Sequence, residues 1–179
     1  DAVDPKQIAD VLAKNPDIAA VYVTHSETST GTAVDLKAIA EIVGKTDAVL
    51  VADCITSIGA LEMRMDDWGV DIPVTGSQKA LMLPPGLGML SVSEKAMARI
   101  QKTDAPGYYT KIPAYAKSLG KGDTPYTPAN TLIKSLKVSL EMIRDQGLEN
   151  VWAETSRRAE AARQAARALG LELLSSRPS

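Results

Sequence analysis

The first half of this chain alternates stretches of helical periodicity with short apolar runs that end in polar, glycine-containing loops. That alternation is the strongest constraint on what it can fold into. Parallel strands need long crossover connections, usually helices, so the pattern specifies an α/β protein with a mainly parallel sheet. Residues 4–15 predict a helix, with Pro5 in the first turn and Ile8, Val11 and Leu12 as its apolar stripe. Residues 19–24 (AAVYVT) predict a buried strand. Asp35 is placed to cap a helix running to about Val43, with Gly44 as its stop. Residues 48–52, 70–74 and 88–92 predict further strands, and Ser93, with Glu94 in the first turn, caps a helix to about Lys102.

The second half has another character. Residues 104–127 hold Pro106, Pro113, Pro125, Gly107, Gly120 and Gly122 together with Tyr108, Tyr109, Tyr115 and Tyr126. They read as a long irregular loop, which in a compact protein is functional or covered by a partner. A long helix is expected from Pro128 to about Gln146, with Leu132, Leu136, Leu140 and Ile143 on one side and Gly147 as its cap. An Ala/Arg-rich helix follows over residues 148–169, and residues 171–174 (LELL) predict the start of another strand. Both ends read as cut, and the expectation is the middle of a longer polypeptide.

Composition removes several function classes. A formal net charge of −2, with no basic stripe, argues against a nucleic-acid partner. No apolar run approaches the roughly 20 residues that span a bilayer. The first residues lack the basic and apolar regions of a secretory signal, so a cytoplasmic protein is expected. One Cys and one His exclude a disulfide framework and the usual Cys/His metal sites. With no Phe, aliphatic residues and Ala must fill the core.

Three loops, at residues 25–32, 53–59 and 75–86, each follow a predicted strand. In open α/β sheets that carboxyl edge is where ligands bind. Thr28, Ser29, Thr30, Asp53, Thr56, Ser57, Ser77, Gln78 and Lys79 gather there. Each has a plain reading by itself: turn hydroxyls, a helix-capping Asp, a solvated Lys. Their combination points to chemistry. Burial among the apolar residues that follow Lys79 would lower the pKa of its amine and make it a nucleophile. An acid at a neighbouring strand end would keep a pyridine nitrogen protonated and improve it as an electron sink. The surrounding hydroxyls and amides suit a phosphate or a phenolate oxygen.

These segments also resemble a known family. HSETSTG (residues 25–31), ADCITSIGA (52–60) and GSQKALMLPPGLG (76–88) look like three consecutive signatures of class V pyridoxal 5′-phosphate-dependent aminotransferases, in the alanine–glyoxylate, serine–glyoxylate and serine–pyruvate branch. The likeness extends to TPYTPA (124–129) and DQGLENVW (145–152). It implies the three-layer, mainly parallel large domain of fold type I over residues 1–147. Residues 148–179 would then form a connecting helix and the start of a small domain.

Carried over residue by residue, the resemblance implies that Lys79 holds the cofactor as a Schiff base and later moves a proton. Asp53 would pair with the pyridinium nitrogen and Ile55 pack on one ring face. Thr28 would lie near the phenolic oxygen, and Gln78 would help hold the phosphate. Thr127, with Tyr126 nearby, would reach a partner subunit's phosphate in a homodimer, which would explain the long irregular segment. Substrates of this branch are small amino acids and 2-oxo acids such as glyoxylate and pyruvate. The phosphate cup, the aromatic on the other ring face and the carboxylate-binding arginine would lie upstream of Asp1 or beyond Ser179.

Cys54 stands where the family often has Ser or Ala and reads as a small buried filler. His25 reads as a turn residue at least as readily as a substrate contact. A lyase or desulfurase on the same fold usually has His before the lysine, and a desulfurase needs a mobile catalytic Cys. Gln78 and the placement of Cys54 argue against both. A non-catalytic relative would be free to lose Asp53 or Lys79, and a redox-metal subunit would need more ligands than one Cys and one His.

Overall fold

The structure is a computed structural model and describes residues 2–175. Along the chain the elements are α1 (Pro5–Lys14), β1 (Ala20–Thr24), β2 (Ser26–Glu27), β3 (Thr32–Ala33), α2 (Leu36–Val43), β4 (Val49–Asp53) and α3 (Met65–Trp68). There follow β5 (Ile72–Gly76), β6 (Gly88–Leu90), α4 (Glu94–Ile100), α5 (Ile112–Leu119), α6 (Asn130–Gln146) and α7 (Leu148–Ala168). The main sheet has the order β1-β4-β5-β6, with β1, β4 and β5 parallel and β6 antiparallel at the edge.

Local signals set the helix starts. The Asp4 carboxylate accepts from the Lys6 N–H, Asp35 from Ala38 and the Ser93 hydroxyl from Ala96. In α2, Leu36, Ile39, Ala40 and Val43 recur at helical spacing and are all buried against Leu12 of α1 and Leu50 and Ala52 of β4. Each large aliphatic side chain buried there contributes about 1.5–3 kcal/mol. The β1 strand differs from expectation in being only half covered. Val21 and Val23 pack on this core, whereas Tyr22, on the opposite face, is 77% exposed.

A buried carboxylate ties the amino edge of the sheet. Asp71 accepts from the Leu50 N–H (2.9 Å) and the Ser93 hydroxyl (2.5 Å), and the Lys95 ammonium stands 3.7 Å away. Lys95 also donates to the Ala48 carbonyl. Because Asp71 is anchored in this way, the strand expected at residues 70–74 begins two residues later, at Ile72.

Other expectations also shift. The loop expected at residues 25–32 instead forms most of a small hairpin that extends to Ala33, Ser26 pairing with Ala33 and Glu27 with Thr32. The segment expected to be irregular over 104–127 contains α5. Pro113 sits in its first turn, where the missing N–H costs no intrahelical bond. In α6, Ser139 is buried while Leu140 is exposed, so a hydroxyl joins Leu132, Leu136 and Ile143 on the inward side. Residues 171–174 form no strand, and Leu171 and Leu174 are exposed: no neighbouring strand among the described residues offers them a ladder.

Candidate functional site

Pairing of Thr24 with Asp53, and of Asp53 with Val74, brings the ends of β1 and β4 level at the carboxyl edge, with β5 running two residues further to Gly76. Asp53 is the last residue of β4. Its carbonyl accepts from the His25 N–H (2.9 Å), and its carboxylate Oδ1 accepts from the Ile55 N–H (3.0 Å). The carboxylate is exposed, with Oδ2 free of any bond within the described residues. Asp53, Ile55, Tyr22, Thr24, Val51 and Val74 line a shallow pocket of about 270 Å³.

Lys79 lies on a loop held from within. Ser77 is fully buried; its hydroxyl donates to the Pro84 carbonyl (2.7 Å) and accepts from the Leu87 N–H (3.2 Å). Leu81 and Leu83 turn inward, and Met82, at φ +61°, turns outward. The Ser139 hydroxyl of α6 donates to the Leu81 carbonyl (2.6 Å). Gly86, at φ +146°, leaves room for Leu132, whose Cδ1 would stand 2.6 Å from any Cβ placed there. Gln78 and Lys79 remain exposed. The apolar residues after Lys79 therefore anchor the loop to the body, and do not bury the amine as expected.

The acid loop and the lysine loop touch. Gly59, at φ +87°, lets its backbone approach Ala80 so closely that a Cβ would stand 3.3 Å from the Ala80 Cβ. The Thr75 hydroxyl adds a long bond of 3.4 Å to the Cys54 carbonyl. Gln78 folds back over Gly76, where a Cβ would meet its Oε1 at 2.7 Å. Thr28 lies in the hairpin turn and is exposed; beside it the Glu27 carboxylate accepts from the Ser29 N–H and hydroxyl, which holds its carboxyl below the usual range.

Tyr126 belongs to a tyrosine cluster with Tyr108, Tyr109 and Tyr115. The Tyr126 hydroxyl donates to the Tyr108 carbonyl (2.8 Å), and its ring stacks on Tyr109 at 4.8 Å. Thr127 is exposed, and neither residue has a hydrogen bond or ring contact with the strand-end loops among the described residues.

Beneath the acid loop, His25 Nδ1 and Ser57 Oγ meet at 2.9 Å, both buried. Burial pushes the imidazole down to about 4, so it is neutral near pH 7. Cys54 is fully buried and its thiol is pushed up to about 11, mainly by burial; Ser57 hydrogen-bonds it and Asp53 repels the thiolate. The thiol is a packed filler, as its sequence position suggested. Ser57 and Ser77 were visible in the sequence as loop hydroxyls without a task. Gly59, Gly86 and Ser139 were not singled out, although a Ser interrupting an apolar helix stripe is a usable signal.

An exposed acid with one free oxygen, an aliphatic side chain in the same pocket and a primary amine on an adjoining, anchored loop suit a pyridine-ring aldehyde such as pyridoxal 5′-phosphate. Fold and edge together define an α/β protein with a candidate ligand site at the carboxyl edge of a mainly parallel sheet. The class-V aminotransferase family model matches residues 2–177, and the chain belongs to that family.

It is 40% identical over 182 residues to a serine–glyoxylate aminotransferase of Hyphomicrobium methylovorum, covering 98% of this chain and 45% of that protein. It is also 40% identical to a protein named soluble hydrogenase 42 kDa subunit of Anabaena cylindrica, over 96% of this chain and 45% of that one. Among solved structures, pyridoxamine–pyruvate aminotransferase of Mesorhizobium loti superposes with a TM-score of 0.91 at 33% identity, covering 98% of this chain and 46% of that one. The chain thus spans about half the length of the curated relatives it matches and is a partial domain of this fold. Among the described residues no helix is long and apolar enough to cross a membrane.

Proposed function

We propose that this chain carries the central part of the active site of a pyridoxal 5′-phosphate-dependent aminotransferase. That enzyme would move an amino group from a small amino acid of the alanine or serine type to a 2-oxo acid of the glyoxylate or pyruvate type. The observation that carries the reading is the Gly59–Ala80 contact, which seats the Asp53 turn against the Lys79 loop at the carboxyl edge. The names of the relatives support the substrate class. When bound, the cofactor would supply an electron sink for charge developing at the substrate α-carbon.

The chain's own residues divide the rest of the work. Asp53 Oδ2 would accept a hydrogen bond from the protonated ring nitrogen while Oδ1 stays with the Ile55 N–H, and Ile55 would pack on the ring. The Lys79 amine would hold the cofactor aldehyde and, once released, carry a proton at the α-carbon. Thr28 and Gln78 would meet the phenolic and phosphate oxygens. Tyr126 and the exposed Thr127, which have no hydrogen bond or ring contact with these loops among the described residues, would serve the site of a partner subunit in a homodimer. Residues 1–147 would belong to the large domain and 148–179 lead into the small one.

Absorbance of the protein with pyridoxal 5′-phosphate tests the reading: a visible band that borohydride abolishes is expected, and Lys79→Ala must lose it. Retention of band and activity by that variant would refute the assignment. Amino donors screened against glyoxylate and pyruvate test transamination, whereas sulfide or pyruvate released without a 2-oxo acceptor would mark a lyase.

A further inference from the structure

We propose that His25, paired with Ser57, is a positioning residue for the site: it fixes the turn that aims the Asp53 carboxylate. The inference rests on the cofactor reading above, but its geometry is independent of it. The turn from Asp53 to Ser57 is closed by the Ser57 and Ile58 N–H groups, which both donate to the Cys54 carbonyl. Among the described residues the Asp53 side chain has a single bond, from Ile55 in the middle of that turn. Where the turn sits therefore decides where the carboxylate points.

His25 grips the turn at both ends. Its N–H donates to the Asp53 carbonyl (2.9 Å), and its Nδ1 meets Ser57 Oγ four residues later (2.9 Å). The next residue adds a third link, the Thr56 hydroxyl donating to the Ser26 carbonyl (2.7 Å). His25 is in turn held by the Val34 N–H on its own carbonyl (3.0 Å), so the clamp is anchored in the hairpin that also carries Thr28.

Both partners are buried, at 5% exposure for His25 and none for Ser57. A hydrogen bond in such a place is costly to leave unmade and holds its geometry. Because the imidazole stays uncharged near neutral pH, it adds no field of its own that would compete with Asp53 for a cation.

The test uses the protein with bound pyridoxal 5′-phosphate and reads cofactor dissociation and the visible spectrum. His25→Leu removes both ring nitrogens, Ser57→Ala removes one oxygen, and His25→Asn restores a polar group near the Nδ1 position. His25→Leu and Ser57→Ala are each expected to weaken cofactor binding about tenfold, the scale of one net hydrogen bond. Each should also shift the pH midpoint of the visible band, and the double variant should be no worse than either single one. His25→Asn should recover most of the affinity.

A merely structural histidine would lower melting temperature and leave affinity and spectrum alone. Folded variants whose cofactor dissociation constant and band stay at the wild-type values would overturn the proposal. If the leucine variant fails to fold, Ser57→Ala decides the question. A wild-type protein with no Lys79-dependent band would sink the cofactor reading itself. A Lys79-dependent band indifferent to His25 and Ser57 would sink only the clamp.

Discussion

Gly59 and Ala80 lie against each other at the carboxyl edge, so close that a side chain on Gly59 would stand 3.3 Å from the Ala80 methyl. Gly59 also has φ +87°, a backbone conformation that side-chain-bearing residues rarely adopt. Gly59→Val is therefore expected to destabilise the protein by about 1–3 kcal/mol and to push the acid turn away from the lysine loop. A lowered denaturant midpoint together with weaker cofactor binding would bear this out; wild-type values of both would contradict it.

Ser139→Ala should cost about 1–3 kcal/mol, because the buried Leu81 carbonyl loses its 2.6 Å donor with no replacement. The loss falls on the loop that presents Lys79. Hydrogen exchange of residues 77–87 should therefore quicken more than that of α2, whose core is distant. Uniform protection across both segments would argue that the hydroxyl is dispensable.

Asp71→Ala separates folding from function. It strips an acceptor from the Leu50 N–H and the Ser93 hydroxyl, and a counter-charge from Lys95. A loss of about 2–4 kcal/mol is expected. Since this knot lies at the amino edge, cofactor affinity of the folded fraction should stay within about twofold, as for well-separated sites. A tenfold fall in affinity would show that the two edges are coupled.

The His25 imidazole makes stability depend on pH below neutrality. Its folded value of about 4 lies below the ordinary 6.5, so between these values the unfolded chain binds a proton that the folded chain refuses. Stability is then full above about pH 6.5 and is lost as pH falls toward 4, by up to about 3 kcal/mol. Urea midpoints measured from pH 7 to pH 4 should show that decline, and His25→Asn should flatten it. An equally steep decline in the asparagine variant would assign the effect to other groups.

Much of the fold was legible along the chain because its signals are local. Asp35 and Ser93 cap helices whose apolar spacing is complete within one segment, and β4 follows an aliphatic run, residues 48–52, up to its terminal Asp53. The misreadings occurred where local signals conflict with packing. Pro113 looked like a breaker but opens α5, and Tyr22 belongs to an apolar run yet stands exposed on the bare face of the sheet. The LELL run has strand composition, but no strand among the described residues pairs with it.

The order of His25, Asp53 and Lys79 along the chain, and the strands that precede each of them, were determined by sequence alone. The same is true of the family signatures around them. Tertiary structure decided how those residues are held: His25 against Ser57, Gly59 against Ala80, and Ser139 against Leu81. Each of these pairs joins residues from separate elements, so no periodicity or turn rule encodes it. Close packing selects one partner for each buried polar group only when the whole sheet edge has formed.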